Sequence, residues 1–353
     1  MVKQLKATEL FLSLGLLASL VSGCGAPESH ADVAPMDEAT PTENVEGGEG
    51  GEGGEGGEGG EGGEGGEGAV SKSLHWANRF DNQAVISAFT ETVVLPNYTQ
   101  YAARAAGLKQ AIDNFVAEPT TANLTAARTA WSEARVSWET TETFAFGPAA
   151  SLGLDGAMDA WPVNSTDIEN ILAGDEPITV ERVAQLQDTE RGMHAIEYLL
   201  FGTAANKGVA EFSDREKRFL LALGQDLNQS AHTLLASWQS GIEGQFAYKD
   251  VFAKAGSADN SIYPTTAAAA QELVSGIIDS LTEVGEEKLA APFAEQDIAG
   301  LESRFSAQTM NDLKSNLQSA ENGYLGAFPA ENLQAKASIS TYIAAVDQRW
   351  IKR

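Results

Sequence analysis

Tyr98-Thr99-Gln100-Tyr101-Ala102-Ala103-Arg104-Ala105-Ala106-Gly107-Leu108-Lys109-Gln110-Ala111-Ile112-Asp113-Asn114-Phe115 is the stretch that decides the fold class. Tyr98, Tyr101, Ala105, Leu108, Ile112 and Phe115 step by three and four, the spacing that lines one face of an α-helix. Glu118-Pro119 ends this helix, because the proline ring disfavours an α conformation in the residue before it. Thr120 or Thr121 can cap the next one. In that helix Leu124, Ala127, Trp131, Ala134, Trp138, Thr141 and Ala145 repeat the stepping until Gly147-Pro148. An irregular stretch is expected from Ala149 to about Pro177, then a helical region from Val180 to Phe201 ending at Gly202.

Ser213-Asp214-Arg215-Glu216 reads as a capping box, in which Ser213 and Glu216 satisfy each other's backbone N–H groups. It opens a helix with Leu220, Leu223, Leu227, Ala231, Leu234 and Trp238 on one side. Thr265 or Thr266 begins another, carrying Leu273, Ile277, Leu281 and Val284. Shorter helices are expected around 297–304, 307–326 and 331–350. No β-alternation of useful length occurs, so the fold class is all-α, with antiparallel helices packed as bundles. About 280 residues suit two four-helix-type bundles, an N-terminal one over about 72–205 and a C-terminal one over about 206–353, with the break near 203–212.

Ahead of the helices the sequence changes character. Lys3 and Lys6 precede an apolar run from Phe11 to Val21, the charged and apolar regions of a secretory signal. Val21-Ser22-Gly23-Cys24 then looks like a bacterial lipobox, and Cys24 is the single cysteine of the chain. The expectation is a lipoprotein signal over 1–23 and a lipidated Cys24 that anchors the chain to a membrane of the cell envelope. Gly25 after the cysteine suggests outer-membrane sorting. From Glu46 to Gly68 the chain repeats Glu-Gly-Gly; with nothing to bury, residues 24–71 read as a disordered acidic tether.

The whole chain of 353 residues has 23 Lys+Arg against 50 Asp+Glu, a formal charge of −27. Setting aside one acid and two bases in 1–24 and 13 acids in 25–71 leaves 36 acids and 21 bases over 72–353, net −15. That balance excludes a nucleic-acid partner, whose phosphates require a basic surface, and suits cationic ligands. One cysteine excludes a disulfide scaffold and any Cys-cluster metal site.

Four histidines are present: His30, His75, His194 and His232. His194 and Glu197 sit three apart in Gly192-Met193-His194-Ala195-Ile196-Glu197, so a helix presents an imidazole and a carboxylate together, a pair able to take two positions on iron or zinc. By spacing alone the same pair also suits two surface polar neighbours. His232 falls beside the apolar side of its helix, at the edge of the core.

Gly192-x-His194-x-x-Glu197 followed by Tyr198-Leu199-Leu200-Phe201-Gly202 resembles the signature of the imelysin-like family, which includes the insulin-cleaving membrane protease and iron-regulated envelope proteins. Val94-Leu95-Pro96-x-Tyr98, the Trp131-to-Pro148 segment with Glu142 ahead of Phe144-x-Phe146-Gly147-Pro148, Asp159-Ala160-Trp161-Pro162, Gly285-Glu286-x-Lys288-Leu289 and Glu302-Ser303 extend the likeness over roughly 85–326. Asp159 departs from the pattern, where Asn would be expected, and adds an acid. The resemblance implies two helical bundles outside the cytoplasm, the Gly-x-His-x-x-Glu residues in or near the functional site, and a link to iron uptake with an envelope iron transporter as partner.

On this reading His194, Glu197, Glu142 and Asp159 are the metal ligands expected, with iron as the cofactor and zinc the alternative. Arg191 and Trp161 are ligand-binding candidates. Arg191 would neutralise Glu197 or hold an anionic ligand; equally, Glu142 could be a solvated carboxylate at a helix end, Arg191 a plain helix-surface cation, and Trp161 a packing residue. A metal-dependent peptidase would need three ligands, an open water position and a general base. His-Glu-x-x-His, His-x-x-Glu-His and Gly-x-Ser-x-Gly are all missing, so an enzyme is the weaker expectation. A third class, a surface ligand- or glycan-binding module, would use Trp131, Trp138, Trp161 and Trp238 for stacking, although three of these lie on core-facing seams.

Overall fold

Helix α1 (Gln83–Phe89) passes through a wide π turn at Thr90–Val94 into α2 (Leu95–Ala117). These are the first elements of a computed structural model that describes residues 82–346; the leader, Cys24, the Glu-Gly-Gly repeat, His30 and His75 lie outside the described residues. All six stepping residues of α2, from Tyr98 to Phe115, are buried. Glu118 is extended ahead of Pro119, and the Thr120 hydroxyl accepts from the Asn123 N–H to open α3 (Thr121–Glu139).

α3 stops at Glu139, short of Ala145. The Thr140 and Thr141 hydroxyls donate to the carbonyls of Ser137 and Trp138, at 2.9 and 2.7 Å, and so compete with the helical ladder. A 3₁₀ turn over Glu142–Phe144 follows, held to a later helix by Thr143 Oγ1 and Ser319 Oγ at 2.8 Å. The stretch expected to be irregular contains α4 (Leu154–Asp159) and a helix at Ser165–Ala173, which the Asn164 side chain caps. The region Val180–Phe201 is broken: a single turn at Val180–Val183, a 3₁₀ turn at Asp188–Glu190, and then α5 (Gly192–Phe201).

Gly192 causes that last break. Its φ is +76°, and a Cβ there would lie 2.4 Å from the Met158 carbonyl oxygen. Only glycine admits both the left-handed backbone and the close approach.

Ser213 and Glu216 form the expected capping box at the start of α6 (Asp214–Gln239). α7 (Thr266–Glu283), capped by Thr265, continues into a second π turn over Val284–Ala290. α8 (Thr309–Leu325) closes at Gly326. Around 297–304 only a 3₁₀ turn at Ile298–Gly300 forms, and after a two-residue strand pair, Ala327–Phe328 with Leu333–Gln334, a helix spans Ile339–Val346. The fold is all-α, as the periodicity requires, and no described helix is long and apolar enough to cross a membrane.

α2 lies between α3 and α6, and α8 lies against α3 and α7, so α6, which follows the 203–212 break, packs on a helix that precedes it. The tryptophans supply the core. Trp131, Trp138 and Trp238 are 0% exposed, Trp138 sits 5.0 Å from the Tyr101 ring, and Trp131 Nε1 donates to the Met193 carbonyl at 2.8 Å. None of these three can stack on an external glycan.

Candidate metal centre

The sequence places His194 in the first turn of α5, directly after the constrained Gly192. There the imidazole is 1% exposed and stands between two carboxylates. Nδ1 is 3.3 Å from Glu197 Oε2, and Nε2 is 3.3 Å from Asp159 Oδ1. Glu197 is held from behind: its Oε1 accepts from both the N–H and the hydroxyl of Ser306, at 2.7 and 2.8 Å. A carboxylate fixed at Nδ1 favours the Nδ1–H tautomer and leaves the Nε2 lone pair as the acceptor. Nε2 has no hydrogen-bond partner among the described residues. Two acceptors facing one another at 3.3 Å repel unless a proton or a cation lies between them.

Glu302 completes this side. One ligand atom each from Asp159, His194 and Glu302 lie within 4.8 Å of one another, a span over which one cation can meet all three. Glu302 is 4% exposed and its Oε2 has no hydrogen-bond partner among the described residues. An imidazole nitrogen with two carboxylates fits a hard or borderline cation such as iron, and equally zinc. Asp159 also belongs to a second acidic group with Glu139 and Glu142. Its Oδ2 is steadied by Trp138 Nε1 at 2.7 Å.

Below these groups lies a layer of buried ions. Arg135, on α3 and 0% exposed, faces Glu139 at 2.5 Å, Glu302 at 2.9 Å, Asp312 at 3.4 Å, and Asp159. Lys288 reaches in from the π turn after α7 to Glu302 at 3.0 Å and Glu139 at 3.5 Å; the wider i→i+5 turn changes the phase of the helix at this point. Asn316 donates to Glu139 Oε2 at 2.5 Å, and Ser303 donates to Asp312. Six carboxylates, of Glu139, Asp159, Glu197, Glu283, Glu302 and Asp312, thus surround two permanent cations, so acids outnumber bases in this layer.

The carboxyls differ in how they meet this field. Burial pushes Glu302 and Asp312 up, with Glu139 adding to the rise for both. Glu139 itself stays low, because Arg135, Lys288 and the Asn316 amide together outweigh its desolvation. Burial drives Glu142 well above the usual carboxylate range, and Asp155, desolvated and facing Glu283, rises to about 6. Both cations are held charged: burial lowers Arg135 and Lys288, and the surrounding carboxylates more than reverse it.

Of the residues expected at a metal, the structure brings His194 and Asp159 together. Glu197 contacts the far nitrogen of the imidazole, and Glu142 joins Asp159 only through the second acidic group. Arg191 does not reach Glu197. Its guanidinium forks onto Asp226 of α6 with three contacts between 2.7 and 3.0 Å and ties the start of α5 to that helix. Trp161 is half-buried beside the α4 end, with Nε1 lacking a hydrogen-bond partner among the described residues. His232 is exposed rather than at the core edge, and its Nδ1 lies 2.8 Å from the Asn228 carbonyl on the same helix. Arg135, Glu139, Lys288, Glu302 and Asp312 were not among the expected site residues. One signal was available for the first two: Arg135 and Glu139 stand beside Ala134 and Trp138 on the seam of α3, four apart, where charge is out of place.

The family model described as Imelysin (Peptidase_M75) matches residues 94–353. Iron-regulated protein A of Synechococcus elongatus is 43% identical over 241 residues, 68% of this chain and 64% of the relative, so the chain spans a little under two thirds of that protein's length. Two solved structures share the fold. A protein solved as an iron-regulated protein A precursor from Parabacteroides distasonis superposes with a TM-score of 0.67 at 22% identity, over 76% of this chain and 80% of its own. An imelysin-like protein from Psychrobacter arcticum does so with 0.52 at 14% identity, over 78% and 76%.

Proposed function

The chain belongs to the imelysin family, and from that premise we propose that it captures iron at the cell envelope, tethered through Cys24, and passes it to an envelope iron transporter. The observation that carries the reading is the His194 Nε2 lone pair set 3.3 Å from Asp159, with Glu302 completing a three-residue group. Iron would be held by His194, Asp159 and Glu302, with Glu197 as the outer partner that orients the ring. The net −15 of residues 72–353 raises the local concentration of cations, and the iron-regulated relative supports the choice of metal.

A titration of the purified chain with Fe²⁺, Fe³⁺ and Zn²⁺ tests this. About one equivalent of iron is expected to bind. His194→Ala and Glu302→Gln should lose it beyond the roughly 10–100-fold typical of an outer-shell partner, and Glu197→Gln should fall within that range. Helix content by circular dichroism stays unchanged in all three. Iron affinity unaltered by His194→Ala would defeat the reading. Zinc retained through purification together with chelator-sensitive cleavage of a peptide would replace it with a metallopeptidase.

A further inference from the structure

We infer that Arg135 is a tethered counter-ion that competes with the captured cation for Asp159 and Glu302, so that loading and release proceed as a change of the cation facing those two carboxylates. This rests on the metal-binding reading above and adds the residue that sets its reversibility.

The two buried arginines of the region are held in different ways. Arg191 is a fixed clamp: Nε and Nη2 donate aligned hydrogen bonds to Asp226, and Nη1 donates to the Ala184 carbonyl at 3.1 Å. Arg135 has four carboxylates around it and only one aligned bond, from Nη1 to Asp159. Its Nε and Nη2 lie within ion-pair distance of Asp312, Glu139 and Glu302 but make no hydrogen bond. Coulombic attraction, with little directional bonding, keeps this guanidinium in place. Such a group can shift by an ångström with little loss of its own.

The partners divide in the same sense. Asp159 and Glu302 belong to the metal group, whereas Glu139 and Asp312 do not stand with His194 in it. Asp159 Oδ1 is addressed by both Arg135 and His194 Nε2, so one oxygen serves the tethered cation and the metal position. A divalent ion at His194, Asp159 and Glu302 repels Arg135 and weakens its hold on both acids. A retreat is available. Asp312 Oδ1 has no hydrogen-bond partner among the described residues, and Glu139 already faces the guanidinium at 2.5 Å. Lys288, at 3.0 Å from Glu302 Oε1, keeps that carboxylate oriented meanwhile. In the other direction, Arg135 moving back displaces the metal, so a partner that accepts iron need not strip it unaided from Asp159 and Glu302.

The alternative is that Arg135 only scaffolds the ligands, and the two roles predict opposite signs for Arg135→Lys. Lysine keeps the charge but is a compact ammonium that cannot span four carboxylates. With competition, Arg135→Lys binds Fe²⁺ at least tenfold tighter under anaerobic titration and releases it correspondingly more slowly to a chelator. With scaffolding, it binds more weakly. Weaker or unchanged affinity in a folded Arg135→Lys protein overturns the inference while leaving the metal site intact, provided His194→Ala still abolishes binding. Binding that survives His194→Ala defeats the site itself and this inference with it. Should Arg135→Lys not fold, crystal structures of the wild-type chain with and without Fe²⁺ decide the matter. Arg135 is expected to part from Asp159 and Glu302 in the loaded form, and contacts retained in both would refute the exchange.

Discussion

On α3, Trp138 and Arg135 lie within one turn of each other and both are 0% exposed, yet their burial follows different rules. Trp138, like Trp131 before it, is there because apolar surface leaves water, with one polar edge each, Nε1 donating to Asp159 Oδ2 from the first and to the Met193 carbonyl from the second. Arg135 is there because carboxylates from α3, α4, the 301–308 segment and α8 converge on it. Removing one partner of a buried ion leaves the others uncompensated, so the charged half of the helix is only as good as its complete set. The apolar half tolerates the loss of one contact by relaxing around it, and the ionic half does not.

Three measurements sharpen this contrast. Trp131→Ala should cost about 3–5 kcal/mol in denaturant unfolding, the same at pH 5 and pH 8, because nothing ionisable takes part. A strongly pH-dependent loss would show that the aromatic seam and the ion layer are one coupled unit. At the edge of the ionic half, Asp155 carries a carboxyl raised to about 6 by burial and by Glu283. A raised carboxyl contributes stability that is fully present below its unfolded value near 3.9 and is lost as pH rises through about 6. Asp155→Asn should abolish that dependence and stabilise the protein at pH 7.5 by up to about 3 kcal/mol relative to its behaviour at pH 3.5. A stability difference between wild type and Asp155→Asn that is the same at pH 4 and pH 7 would contradict it. The smallest effect is expected on the exposed face of α6, where His232→Ala should change stability by under about 0.5 kcal/mol and leave iron affinity as it is. A loss of iron on that change would bring a second histidine into the site.

Much of the helical scaffold was legible in the sequence, since three-four stepping and threonine or serine caps are local properties. Thr120, Ser213 and Thr265 cap the helices as their spacing required. Where the reading overran, a longer-range contact competed: Thr143 bonds to Ser319, far along the chain, and draws the end of α3 into a 3₁₀ turn. Where it fell short, as at α4 and Ser165–Ala173, the helices are too short for a periodic stripe to declare itself.

The candidate site divides along the same line. His194 and Glu197 were legible as a helical pair, and Gly192 as part of their motif. Their unequal roles were not, because the direction of each side chain depends on Ser306 behind Glu197 and on Asp159 opposite the ring. Arg191 appeared from its spacing to belong to the pair, and Asp226 on α6 claims it instead. By itself the sequence determined the all-α class, most helix caps, the acidic balance and the His194 helix, all functions of residue type and near-neighbour spacing. Only the tertiary structure decided that Arg135, Lys288, Glu302 and Asp312 share one buried charge layer with it. Coulomb energy depends on distance in space and on exclusion of water, and neither is written in the spacing along the chain.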